Sequence, residues 1–116
     1  MTMQARLPTH LWVMAVVRRA NAEGRPTVVA RKGERMGGGV LVKLNFLDGR
    51  FKVLVQQRDL DGRLGWMTAL KEEAVTEEEA EAYIARSTAR DPDLWVVEVE
   101  DRAGTNPFAA GPEGVA

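Results

Sequence analysis

The sequence predicts an α+β domain, an α/β two-layer arrangement ordered α-β-β-β-β-α-β. Its sheet is mostly antiparallel and both helices lie on one face. Three observations lead there. Two Asp-Gly pairs, Asp48-Gly49 and Asp61-Gly62, each separate alternating apolar segments, and Asp-Gly supplies the positive φ that tight hairpins need. The stretch THLWVMAVVRRANAE has the length and spacing of an amphipathic helix. Thr76 followed three residues later by Glu79 is a capping box opening a second helix.

The first helix is expected over about Thr9 to Glu23. Thr9 caps its start behind Pro8, and Gly24 closes its end in the left-handed region. Trp12, Val16 and Ala20 share its apolar face with Val13 and Val17, while Arg18 and Arg19 fall at the edge. PTVVARKG, Pro26 to Gly33, reads as a short strand. VLVKLNF and RFKVLVQQR then flank Asp48-Gly49. A two-residue loop there pairs Phe46 with Phe51, Leu44 with Val53 and Val42 with Val55, all apolar on one face. The second pair matches Gln57 with Trp66, Val55 with Thr68 and Val53 with Leu70, so three strands form a double-hairpin meander. Its other face carries Lys43, Asn45, Lys52, Gln56, Arg58 and Met67.

The second helix runs from about Glu77 to Arg90, with three glutamates in its first turn to suit the helix dipole and Asp91-Pro92 to stop it. DLWVVEVE, Asp93 to Glu100, is the last strand, with Trp95, Val97 and Val99 on one face. It lies beside strand one or strand four. The compact domain is expected over residues 5–101. Residues 102–116 are Gly-, Pro- and Ala-rich without periodicity and read as a flexible tail.

Composition narrows the chemistry. A chain of 116 residues with 28% charged side chains fits one soluble domain with its own core. Its longest apolar run, LWVMAVV, has seven residues, against about 20 for a bilayer span. No leader opens the chain, so a cytoplasmic location without membrane contact is expected. The absence of cysteine removes disulfides, thiolate metal sites and cysteine nucleophiles. Charge is split along the chain. Residues 1–70 hold 12 Lys/Arg against 5 Asp/Glu, and residues 71–116 hold 4 against 12. The simplest reading sets the acidic helix against the basic sheet, neutralising it internally. The other is a basic surface for an anionic partner.

The glycine-rich stretch GERMGGGVLVKLN, Gly33 to Asn45, needs the closest reading. Gly33 and Gly38 have the spacing of a phosphate-binding loop, but Gly39 stands at its lysine position and Val40 at its hydroxyl position. A strand follows, not a helix whose N-terminus faces a phosphate. The loop therefore reads as a strand connection, with Arg31, Lys32 and Arg35 beside it.

His10 is the only histidine and Ser87 the only serine, and neither has a partner for nucleophilic or metal chemistry in view. Asp59 and Asp61 belong to a turn and lack the distal glutamate of a calcium loop. The element order is similar to the restriction-nuclease-like core, whose chemistry needs clustered carboxylates and a lysine. The middle strands offer Lys43 and Lys52 but no acid, and Glu98 and Glu100 lie on the last strand. No residue is assigned a catalytic or metal-binding role, and no cofactor is expected.

The stretches LWVMAVVRRANAEG, VVARKGERMGGGVLVKLN and RDPDLWVVEVEDR, within residues 5 to 102, resemble the bacterial family catalogued as domain of unknown function 1491. The resemblance implies one compact α/β domain and transfers no catalytic residue. The expectation is a small cytosolic, non-catalytic binding or adaptor module with a protein or nucleic-acid partner. Its anion- or partner-binding residues would be Arg18, Arg19, Arg31, Lys43, Lys52 and Arg58. The alternatives are a small metal-dependent enzyme using carboxylates on the last strand, and a structural homodimer joined through a sheet edge.

Overall fold

The computed structural model describes residues 7–70 and 73–111. The elements are α1 (Thr9–Ala22), β1 (Thr27–Arg31), β2 (Val40–Asn45), β3 (Phe51–Arg58), β4 (Leu64–Thr68), α2 (Glu77–Arg90) and β5 (Trp95–Glu100). The predicted class and element order hold. The sheet runs β1-β5-β2-β3-β4, so β5 inserts between β1 and β2. It is antiparallel to β1 and parallel to β2, and the other pairings are antiparallel.

Both hairpin registers are shifted by one residue from the sequence expectation. Leu44 faces Lys52 and Val42 faces Leu54, while Gln56 faces Trp66. The cause lies in the loops. Each closes around three residues, not two, with Phe46 N donating to Arg50 O at 3.1 Å and Asp59 N to Arg63 O at 3.0 Å. Side chains outside the Asp-Gly pairs hold the longer loops open. Asn45 Oδ1 accepts from Leu47 N, and Asp59 Oδ1 accepts from both Asp61 N and Arg63 N. Gly49 and Gly62 are left-handed, at φ +90° and +81°, and Leu47 joins them in the first loop at φ +65°.

A one-residue slip turns every side chain of a strand to the other face. Phe51 and Val53 thus leave the face of Val42 and Leu44, and the sheet acquires two apolar faces. The expectation of two layers with both helices on one face is therefore corrected: one helix lies on each face, giving three layers. Trp12, Val13 and Val16 of α1 cluster with Val40, Val42, Leu44, Trp95, Val97 and Val99. Ala80 and Ile84 of α2 cluster with Leu41, Phe51, Val53 and Val96 on the other side. β2 and β5, central and covered twice, are buried almost continuously.

The segment after β5 is not a loose tail over residues 102–111. Asp101 Oδ1 accepts from Ala103 N at 3.2 Å and its Oδ2 from Thr105 N at 2.9 Å, which turns the chain back. Phe108 then enters the α1-side core, 0% exposed. Its ring stands edge-on to Trp12 at 5.1 Å. The remainder of the predicted tail, residues 112–116, lies outside the described residues.

The helix ends follow mostly known rules. Thr76 and Glu79 make the reciprocal capping box, and Val75 pairs with Phe51 just ahead of it. α1 starts differently from expectation. Pro8 is the N-cap and Thr9 the first helical residue. The free N–H groups of Thr9 and His10 donate to Met36 O at 3.2 Å and Arg35 O at 2.8 Å. The glycine-rich segment itself therefore caps α1.

Candidate functional site

The glycine-rich segment is shaped by close approach. A Cβ on Gly33 or Gly38 would stand 2.2 Å from Asp93 O, whereas Gly37 has nothing nearer than Glu34 Oε1 at 3.9 Å. Asp93 O accepts from Glu34 N at 2.9 Å, and Trp95 Nε1 donates to Glu34 O at 2.8 Å. The segment is pinned between α1 and the start of β5. The segment's carbonyls take up the N–H groups of Thr9 and His10 at the start of α1, and the segment leads into strand β2, not into a helix.

Beyond this segment β2 and β3 separate. Their ladder ends at Leu41 and Val55. Val40 N donates to the side-chain Oε1 of Gln56 at 2.6 Å. The strands open into a cleft of about 250 Å³, with Gly37, Gly38 and Gly39 on one side and Gln56, Gln57 and Arg58 on the other. Trp12 forms part of its wall. The Trp12 side chain is 2% exposed, and among the described residues its indole N–H has no hydrogen-bond partner. Nothing in the sequence announced this donor, because Trp12 reads only as a core residue of α1.

The six predicted basic residues do not converge. Arg58 reaches the cleft, with Nη1 donating to Gly62 O at 2.7 Å. Arg18 and Arg19 are exposed on α1, on the same side of the sheet. Arg31 spans from β1 to the turn before β5, where Nη1 donates to Pro92 O and Leu94 O, both at 3.0 Å. Lys52 lies 3.9 Å from Glu73.

Lys43 departs furthest from expectation. Its side chain is 4% exposed, not displayed on an open face, because the register slip puts it under α2 and on the opposite face from Lys52. Its Nζ meets Glu81 at 2.5 Å, Glu77 at 3.1 Å and Glu98 at 3.5 Å, and lies over the Phe51 ring at 5.0 Å. Burial disfavours the ammonium, but the hydrogen bonds it donates to Glu81 and Glu77 and the charge of Glu98 outweigh it, so its pKa stands above the ordinary lysine value. This cluster joins the acidic helix to the sheet, as the internal-neutralisation reading expected for the charge split. It also engages Glu98, one of the two carboxylates considered for metal chemistry. Among the described residues no group of three or more His, Cys, Asp or Glu is arranged to hold a metal ion.

Lys43→Met should be mildly destabilising. The stem is kept, two charge-assisted hydrogen bonds are lost, and the cost of burying the charge disappears with them. Glu77 and Glu81 are more than half exposed and stay hydrated, so the net loss is about 1 kcal/mol. A raised folded-state pKa means the folded protein holds this proton more tightly. The stabilisation is complete below the unfolded lysine value and is lost as pH rises through the folded one. Urea titrations of both proteins should therefore converge in strong alkali and differ at neutral pH.

These features define a class: a small three-layer α+β domain with a cleft at the splayed end of a mixed sheet. Comparison with known proteins is more specific. The chain belongs to the family described as "Protein of unknown function (DUF1491)", whose sequence model matches residues 7–109. It is similar to a DUF1491 family protein from Caulobacter crescentus seen by crystallography, at 38% identity and TM-score 0.80, covering 91% of this chain and 97% of that one. An NMR structure of a DUF1491 family protein from the same organism gives 38% identity and TM-score 0.78, covering 93% and 96%. A solution structure of a protein from A. tumefaciens gives 30% identity and TM-score 0.69, covering 83% and 86%. No curated protein matches the chain. Among the described residues no helix is long and apolar enough to cross a membrane.

Proposed function

We propose that this protein is a small, non-catalytic binding or adaptor module of the cytoplasm, holding an anionic group of its partner in the cleft at Arg58. One observation carries the reading. Of the six basic residues singled out in the sequence, Arg58 alone lines the cleft, where it stands opposite the glycine-rich segment. The lining supplies hydrogen-bond donors and apolar surface. Its one hydroxyl, on Thr9, already donates to Gly38 O at 3.0 Å. Such a wall suits recognition more than proton transfer.

The test is capture of partners from cell extract by the tagged protein, at low and moderate salt, with and without nuclease. Arg58→Ala should release what the wild type retains, while Arg18→Ala with Arg19→Ala should retain it. Equal capture by wild type and Arg58→Ala would remove the cleft from the account. Nucleic acid lost with rising salt would identify the anion as phosphate.

A further inference from the structure

We infer that the cleft takes a single carboxylate carried on a small apolar body, such as a branched-chain organic acid or an apolar peptide C-terminus. This rests on the reading of the cleft as a binding site and adds the chemistry of what enters it.

The donors come first. The indole N–H of Trp12 belongs to a side chain that is 2% exposed, and it lacks a partner among the described residues. That N–H is itself sealed from solvent, so Trp12 lends the cleft its ring and reports on what enters rather than donating to it. The Gln56 carboxamide is oriented by the bond from Val40 N to its Oε1. Its NH2 is therefore the end left to offer. Arg58 spends Nη1 on Gly62 O and keeps its other N–H groups. Two side-chain N–H donors on one cleft, the Gln56 carboxamide and the Arg58 guanidinium, select an acceptor-only group.

Charge decides between acceptors. Among the described residues that line the cleft, Arg58 is the only charged one. One guanidinium matches one negative charge, and its planar fork suits a carboxylate. A phosphate dianion would leave part of its charge unmatched in a partly enclosed space. The remaining wall includes Leu7, Leu64 and the Trp12 ring, which offer an apolar body a place to pack. A volume of about 250 Å³ lies below the usual range of about 300–1,000 Å³ for drug-sized ligands, so that body is small.

The experiment is amide and indole chemical-shift mapping on the 15N-labelled full chain. The probes are N-acetyl-leucine, its neutral amide and inorganic phosphate. N-acetyl-leucine should move the Trp12 indole N–H and the Gly37 to Gly39 amides. The neutral amide should bind about tenfold more weakly or worse, and Arg58→Gln should weaken the acid by a similar factor while leaving the rest of the spectrum folded. Equal shifts from acid and amide would overturn the inference. Phosphate moving these resonances while N-acetyl-leucine does not would also overturn it, yet leave the cleft as an anion site. Silence of the cleft to all three probes would remove both readings. Titration with 4-methylpentanoate and with a short peptide ending in leucine separates the two sources. Binding of either supports the shared chemistry, and binding of neither contradicts it.

Discussion

Replacing Phe108 by alanine should cost about 3–5 kcal/mol, the usual range for a fully buried phenylalanine. The ring is 0% exposed, meets Trp12 edge-on at 5.1 Å and approaches Trp66 at 6.2 Å. It closes the α1 side of the core from a segment rich in Gly, Pro and Ala. For a domain of this size the thermal midpoint should fall by about 15 °C or more. Deleting the chain from Arg102 onward should do at least as much, whereas loss of a loose tail would leave the midpoint unchanged. Acid should loosen the same segment. Burial opposes the charge of Asp101, but hydrogen bonds from the Thr105 and Ala103 N–H groups outweigh it and hold its pKa below the ordinary aspartate value. The stability this carboxylate adds is present above the unfolded value and is lost as pH falls through the lower folded one.

Gly38→Ala should be nearly as severe, at roughly 3 kcal/mol, the upper part of the range for overpacking. The new methyl would sit 2.2 Å from Asp93 O, and the next nearest atoms, Glu34 N and O at 3.0 and 3.1 Å, are also backbone. No side chain can swing aside to relieve it. The main chain must move, at the expense of the Glu34 N to Asp93 O bond and the Thr9 hydroxyl bond to Gly38 O. Its neighbour is the control. Gly37→Ala has open space around it and should stay within about 0.5 kcal/mol of wild type. Thermal melts of the two variants decide the matter. Equal, small effects would mean that the segment is glycine-rich for flexibility alone.

Much of this fold was legible because local chemistry announced it. The Thr76 and Glu79 box, the Gly24 closure and the two glycine turns all stand where the residue types place them. The register was not legible, and the reason is specific. Asp-Gly marks a turn but not the length of its loop, and Asn45 and Asp59 lengthen both loops from outside the pair. The tight register also looked right because it paired Leu44 with Val53 and Val42 with Val55. The observed one puts Lys43 opposite Val53. That arrangement is reasonable only once Glu77, Glu81 and Glu98 are known to surround the ammonium, and they come from elements far along the chain. Phe108 was hidden for another reason. A lone aromatic in an aperiodic stretch gives no pattern, although the aspartate turn at Asp101 is a cue that the chain doubles back.

The candidate site was legible only in pieces. The sequence singled out the glycine stretch and Arg58 for separate reasons, and nothing placed them on one cleft. Where the β2–β3 ladder ends, the Gln56 side chain takes the bond from Val40 N, which no spacing rule reveals.

The central claim is that binding occurs in this cleft and not on the exposed arginines of α1 or on the sheet face beneath α2. A residue-by-residue shift map of the full chain with N-acetyl-leucine and with inorganic phosphate tests it most directly. The account predicts that shifts from at least one probe gather at the Trp12 indole, at Gly37 to Gly39 and at Gln56 to Arg58. Shifts centred on Arg18 and Arg19 or along α2, with the cleft unmoved, would contradict it.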